Sequence, residues 1–263
     1  MSGSSVPAFS PENGQNVRGM RINKLLASLG LCSRRQADEI IEAGRVRVNG
    51  EILITPGLRI EPGKDRVEVD GREVNLEPQA GRFTYILLHK PIEVVSTVRD
   101  PEGRRTVLDI LPPDLRGKRL YPVGRLDYFS EGLLVLTDDG NLANRLTHPS
   151  WNHARVYLVR VRGHVSEQAL DAMGKGMRLA EGDTLTPVKA RILERDRRST
   201  LLELTLHQGI NRQVRRMCRD LGLTILMLRR IQHGPLSLGE LPKGKARALT
   251  ADEARILRAS VGL

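Results

Sequence analysis

Aromatic residues make up only 3% of this 263-residue chain. That scarcity argues against a base-stacking sheet, which needs exposed rings at set positions. Cysteine is scarcer still. Cys32 and Cys218 lie far apart in the chain and suggest neither a disulfide framework nor a metal site. The six histidines show no HExxH or comparable ligand spacing, so no metal is expected. No apolar run approaches the ~18 residues of a membrane span. The Ser-, Gly- and Asn-containing first 19 residues lack the apolar core of a signal peptide. No dinucleotide-binding glycine pattern and no internal repeat occur. These absences predict a soluble, cytoplasmic protein with no cofactor.

Basic residues, by contrast, are abundant. The formal net charge is +11 and the pI is near 10.2, which points to a polyanionic partner. The excess is localised. Residues 205–248 hold nine Lys and Arg against two Asp and Glu, a net +7. A concentrated excess of this kind predicts a binding face.

Periodicity divides the chain into a disordered tail over 1–19, a small domain over 20–76, a linker over 77–82, a larger domain over 83–255 and a C-terminal tail over 256–263. From Met20, the residues Ile22, Leu25, Leu26 and Leu29 recur with helical spacing up to Gly30. Ser33-Arg34-Arg35-Gln36 reads as a capping box opening a second helix that ends at Gly44. Arg45–Val48 alternates into an Asn49-Gly50 hairpin turn, and Val67–Val69 runs into Asp70-Gly71. Arg34 and Arg35 occupy a first turn where the helix dipole favours acids; a docked phosphate would resolve that conflict. In the larger domain Tyr85–Leu88, Val94–Thr97, Leu133–Leu136, Val156–Val161, Ala190–Leu193 and Leu201–Leu206 read as strands. They are interleaved with short helices, a pattern of the α+β class with a mainly antiparallel mixed sheet.

Two segments concentrate candidate chemistry. In Gly124-Arg125-Leu126-Asp127-Tyr128-Phe129-Ser130-Glu131-Gly132-Leu133-Leu134, one carboxylate, Asp127, stands in a polar turn just ahead of a strand too continuously apolar to face water. A lone Asp in a turn is ordinarily a turn residue; held partly out of water, it can serve as a nucleophile. In Asn211-Arg212-Gln213-Val214-Arg215-Arg216-Met217-Cys218-Arg219-Asp220-Leu221-Gly222, Asn211 reads as a helix N-cap and Gly222 as the stop. Val214, Met217, Cys218 and Leu221 share one apolar stripe. At about 100° per residue, Arg215 falls at its border and is best placed to turn inward toward a carboxylate. Arg212, Arg216 and Arg219 point away, toward solvent or phosphate.

The strings Gly-Arg-Leu-Asp, Ser-x-Gly-Leu-Leu and Thr-x-Asp-Gly (here 124–127, 130–134 and 137–140), together with Asn-Arg-Gln-Val-Arg-Arg-Met (211–217), closely resemble the signatures of the RsuA family of RNA pseudouridine synthases. Thr106–Pro112 and the segments through Leu228, Arg230, Gly234-Pro235-Leu236 and Leu241–Gly244 fit it too. Residues from Arg21 to Gly50 are similar to the RNA-binding module first seen in ribosomal protein S4. The resemblance implies that the chain isomerises a uridine in ribosomal RNA without metal or cofactor, as a monomer. It implies Asp127 as the catalytic residue, Arg215 as the basic residue paired with it, and Tyr157 against the target base. Arg155 stands where the family usually has Lys, ahead of Tyr157, and an Arg fork is not equivalent to an ammonium. Arg34, Arg35, Arg125, Arg155, Arg212, Arg216 and Arg219 are the candidate RNA contacts. The strings look most like large-subunit (23S, RluB-type) members. A small-subunit (16S) enzyme and a non-catalytic RNA-binding assembly factor are the competing readings. The RluA branch fits less well, since its C-terminal motif usually reads Arg-Thr-His-Gln.

Overall fold

The structure, a computed structural model, describes residues 19–76 and 83–263; the expected tail over 1–18 and the expected linker over 77–82 lie outside them. The described residues fall into two compact units, before and after this gap.

In the first unit, strand β1 (Met20–Arg21) leads into helix α1 (Ile22–Ser28) and helix α2 (Arg34–Glu42). Met20 therefore opens a strand, not the helix. The Ser33 side chain accepts from the Gln36 amide, while the Gln36 side chain accepts from the Ser33 amide, so α2 opens on the expected capping box. Gly30 and Gly44 end the two helices with the paired backbone bonds of a Schellman stop. Strands β2 (Val46–Val48), β3 (Glu51–Leu53), β5 (Val67–Val69) and β6 (Arg72–Glu73) form an antiparallel sheet in the order β3-β2-β5-β6. Strand β4 (Arg59–Ile60) pairs with β1. Asn49 and Gly50 both take positive φ, the conformation that a two-residue hairpin requires. Ile22, Leu26, Ala37, Ile41, Val46, Ile60 and Val67 are buried together as this unit's own core.

The second unit is built on a mixed sheet of nine strands. Along it run β11 (Lys189–Arg195), β12 (Ser199–Leu206), β10 (Arg155–Arg162), β13 (Ile225–His233), β9 (Glu131–Thr137), β7 (Tyr85–Lys90) and β15 (Ala246–Ala248). The short strands β8 (Tyr121–Pro122) and β14 (Leu236–Ser237) pair with β9 and β13 respectively. All ladders are antiparallel except β9 with β13. Five helices accompany it: α3 (Pro113–Arg116), α4 (Gly140–Thr147), α5 (Glu167–Lys175), α6 (Gln213–Asp220) and α7 (Ala251–Ala259).

Strand β9 is buried at every position. Leu134 and Leu136 face a cluster with Ile86, Leu88 and Leu126, whereas Leu133 and Val135 face Leu142, Leu146, Leu236 and Leu257. A strand covered on both faces must read as a continuous apolar run, as this one does. Near the other edge, Val159, Leu202 and Leu204 pack against α5 and α6 through Met173, Val214, Met217 and Cys218.

Three expectations need correction here. Val94–Thr97 is not a strand; it makes one isolated parallel bridge, Val95 to Thr106. Its polar groups are used elsewhere: the Ser96 hydroxyl donates to Leu126 O at 2.9 Å and accepts from the Leu126 amide at 3.1 Å. Residues 256–263 are not a loose tail. Helix α7 runs through Ala259, Leu257 and Val261 are fully buried, and Arg145 Nη1 donates to the carbonyls of Val261 and Gly262. Strand β13, at the centre of the sheet, was not among the expected strands.

Candidate functional site

Asp127 sits in the turn between the loop after β8 and the start of β9. Its backbone is fixed from below by Lys90, the last residue of β7. Lys90 has 0% exposure, and its ammonium donates to three carbonyls, Pro91 O at 2.9 Å, Asp127 O at 3.1 Å and Ser130 O at 2.9 Å. The Ser130 amide closes the turn onto Asp127 O at 3.0 Å. Ser96 clips Leu126 from the side, and the Glu93 amide donates to Tyr128 O at 2.8 Å. The carboxylate therefore projects from a backbone held at five points. Its side chain is 27% exposed, neither sealed in the core nor free in solvent.

Helix α6 brings two guanidinium groups to it. Arg215 Nε lies 3.4 Å, and Arg212 Nη1 3.6 Å, from Asp127 Oδ2. Arg215 also donates through Nη2 to Phe129 O at 2.7 Å and to Ser130 Oγ at 3.1 Å, gripping the turn that carries the acid. Burial lowers the Arg215 guanidinium below its ordinary value, and the Asp127 charge opposes that. A guanidinium remains charged after any such shift.

The N-terminus of α6 departs from expectation. Asn211 is not the cap. Arg212 takes that position, left-handed at φ 51° with no side-chain cap, while the Gln213 side chain accepts from the Ile210 amide at 3.3 Å. From this left-handed position Arg212 reaches Asp127, where helical spacing had pointed it away. Gly222 does end the helix with Schellman bonds, as expected. Arg216 and Arg219 are both taken up in ion pairs, Arg216 largely buried and Arg219 still exposed. Arg216 is paired with Glu181 at 2.9 Å and Asp183 at 2.5 Å, Arg219 with Glu181 at 2.6 Å and Asp220 at 2.7 Å. The loop after α5 folds acids over this face of the helix. No local pattern separated in sequence by some thirty residues could announce that.

Tyr157 lies on β10, opposite Arg230 of β13, which in turn stands opposite Gly132 of β9. At about 4.8 Å per strand, Tyr157 is about 10 Å across the sheet from a residue five positions beyond Asp127. It packs against the cluster containing Leu126. Arg155, two residues earlier, is pushed below its ordinary value by burial. Arg230 is buried and donates Nε to Leu133 O at 2.9 Å. Arg125 is exposed two residues before Asp127, and Arg34 and Arg35 are exposed at the start of α2.

Sequence reasoning overlooked Lys90, Ser130 and Glu131. A lysine ending the apolar run Tyr85–Lys90 was the available signal. Glu131 is 4% exposed and bonded to Arg229 at 2.7 Å and Lys243 at 2.5 Å. Burial pushes its carboxyl up, but these two cations outweigh burial and hold it below the usual carboxylate range. Among the described residues no group of three or more His, Cys, Asp or Glu could hold a metal ion, and no helix is long and apolar enough to cross a membrane.

Residues 84–220 match the family described as RNA pseudouridylate synthase, and residues 20–67 match the S4 domain. The chain is 40% identical over 244 residues to the ribosomal large subunit pseudouridine synthase B of Bacillus subtilis, covering 91% of this chain and 96% of that one. It is 42% identical over 245 residues to an uncharacterised RNA pseudouridine synthase of Aquifex aeolicus, covering 93% and 96% respectively. Its fold is similar to a crystal structure of a pseudouridylate synthase, with a TM-score of 0.64, 30% identity, and coverage of 91% of this chain and all of that one. With this coverage, the chain belongs to the RNA pseudouridylate synthase family and carries an S4 domain ahead of its synthase domain.

Proposed function

We propose that this isomerase converts a uridine of ribosomal RNA to pseudouridine, that its target lies in the 23S RNA of the large subunit, and that Asp127 is the nucleophile. The observation that carries the last point is the convergence of Arg215 and Arg212 on a half-shielded carboxylate in a rigid turn. Two guanidinium groups at 3.4 and 3.6 Å fix the direction in which that carboxylate points. An ionised, weakly hydrated carboxylate is the species that attacks. The large-subunit assignment is supported by the names of relatives in Bacillus subtilis and Pseudomonas aeruginosa.

In the reaction the Asp127 carboxylate bonds to ribose C1′ as the bond from C1′ to uracil N1 breaks, and it leaves C1′ again when uracil C5 attacks there. The released uracil turns within the cleft, and C5 bonds to C1′. C5 loses its proton and N1 gains one, so atoms and charge balance without oxidant, metal or energy input. Tyr157 supports the base from the sheet. Arg215 lies against the Asp127 carboxylate and holds its turn through Phe129 O and Ser130 Oγ. Taking the uridine out of its stack costs a few kcal/mol in a duplex and less in a bulge or loop. Phosphate contacts from Arg34, Arg35, Arg125 and Arg212 offset that cost.

Asp127→Asn tests the assignment. It should bind unmodified 23S transcript within about two-fold of the parent, because a single uncharged isostere removes no phosphate contact. Its rate of pseudouridine formation should fall on the order of 10³-fold or more. A variant that still converts uridine at the parent rate eliminates Asp127 as nucleophile. Mapping pseudouridine in 23S and 16S RNA from cells with and without the protein tests the target.

A further inference from the structure

Beside Arg215 the second unit carries a hollow of about 350 Å³. Its lining includes the apolar Phe129, Ile92 and Leu226 and the cationic Arg215 and Lys243. These three apolar side chains are 60%, 41% and 51% exposed, and Phe129 is the most exposed of the large hydrophobic residues described. In a chain with 3% aromatics, an uncovered ring two residues after Asp127 is an expense that folding does not explain. The ring is nevertheless positioned. Its carbonyl is held by Arg215 Nη2 at 2.7 Å, and the Tyr128 ring meets it edge-on with centroids 5.0 Å apart.

We infer that this hollow is a stacking subsite for the RNA base next to the target uridine, with Phe129 as its platform. The inference rests on the proposed function and adds to it a place for the neighbouring nucleotide. When a uridine leaves its stack, one face of each neighbour loses its partner, and an aromatic ring replaces that partner for any base. The lining carries two cations, Arg215 and Lys243, against one acid, an excess that suits the phosphate joining the two nucleotides. Arg215 both lines the hollow and lies 3.4 Å from Asp127 Oδ2, so the hollow adjoins that carboxylate. The one acid in it, Glu131, has both oxygens engaged, Oε1 by Arg229 and Oε2 by Lys243. No free carboxylate remains to repel phosphate or read a base edge. The subsite therefore recognises a flat ring and a negative charge, and tolerates base identity.

The test uses the full-length protein and a synthetic RNA spanning the uridine that the parent converts in unmodified 23S transcript. Two further RNAs carry a single abasic residue on the 5′ or the 3′ side of that uridine. Phe129→Ala should raise KM about ten-fold, the effect of one lost stack, with kcat nearly unchanged; Phe129→Trp should restore the parent KM. One of the abasic RNAs should cost the parent a similar factor and cost Phe129→Ala almost nothing more. The inference is overturned if the abasic and Phe129→Ala effects multiply, or if Phe129→Ala leaves KM unchanged. A changed oligomeric state with unchanged KM would assign the ring to a protein contact instead. Absence of any conversion by the parent would remove the proposed function itself, and with it the subsite.

Discussion

Lys90 shows how much one side chain can decide. It is a charged group with no exposure, tolerated because three N–H donors meet three carbonyls of the loop around Asp127. Burial pushes its ammonium from the ordinary 10.5 down to about 8, against the pull of Asp127 and Glu131. Between those two values the folded chain binds fewer protons than the unfolded one, so this residue's contribution to stability rises with pH there. Below about pH 8 the ammonium bears its full burial penalty. Activity should move the other way. A neutral amine has two N–H donors for three carbonyls, so the turn loosens and pseudouridine formation falls as pH rises through about 8. Lys90→Met should lower kcat and erase this alkaline limb in single-turnover rates. A limb that persists unaltered in Lys90→Met belongs to another group.

Single elements are decided by close approach as much as by propensity. The parallel pairing of β9 with β13 brings Gly132 against Arg230 so tightly that a Cβ on Gly132 would stand 2.2 Å from Arg230 O. Gly132 also has φ +114°, a conformation that costs other residues about 1–3 kcal/mol. Gly132→Ala should therefore destabilise the second unit by about 2–5 kcal/mol, strain and overpacking together, read as a drop in the urea midpoint. A shift below about 0.5 kcal/mol, the usual surface value, would mean that β13 moves aside without penalty. The glycine of the Ser-x-Gly-Leu-Leu string thus has a mechanical reason: only it lets β13 come alongside the strand that follows Asp127. Helix α6 makes the complementary point. Its apolar stripe and glycine stop follow from periodicity, but its left-handed entry at Arg212 does not, because Asn211 is the better local cap.

Across the whole molecule, each unit encloses its own apolar core, so a surface substitution on the first unit leaves the core of the second intact. Arg34→Ala with Arg35→Ala should weaken binding to 23S RNA and reduce the slope of log affinity against log salt by up to about 1.5, for two phosphates released. Thermal unfolding of residues 83–263 should not change. An unaltered slope removes both arginines from the interface. The cap at Ser33, the stops at Gly30, Gly44 and Gly222, and the buried character of Leu133–Leu136 were legible locally, because propensity, capping and alternation act over a few residues. So was the placement of Asp127 ahead of a buried strand. What tertiary structure alone decided were contacts between residues far apart in sequence. These include Lys90 beneath the turn, Ser96 clipping Leu126 in place of the strand expected at Val94–Thr97, and acids from the loop after α5 neutralising Arg216 and Arg219. They also include Arg212 joining Arg215 at the Asp127 carboxylate, where helical spacing had brought Arg215 alone. Charge counts and helical angles cannot reveal such meetings, since Coulomb and hydrogen-bond energies depend on distances that the chain acquires only when the sheet closes around β9 and β13.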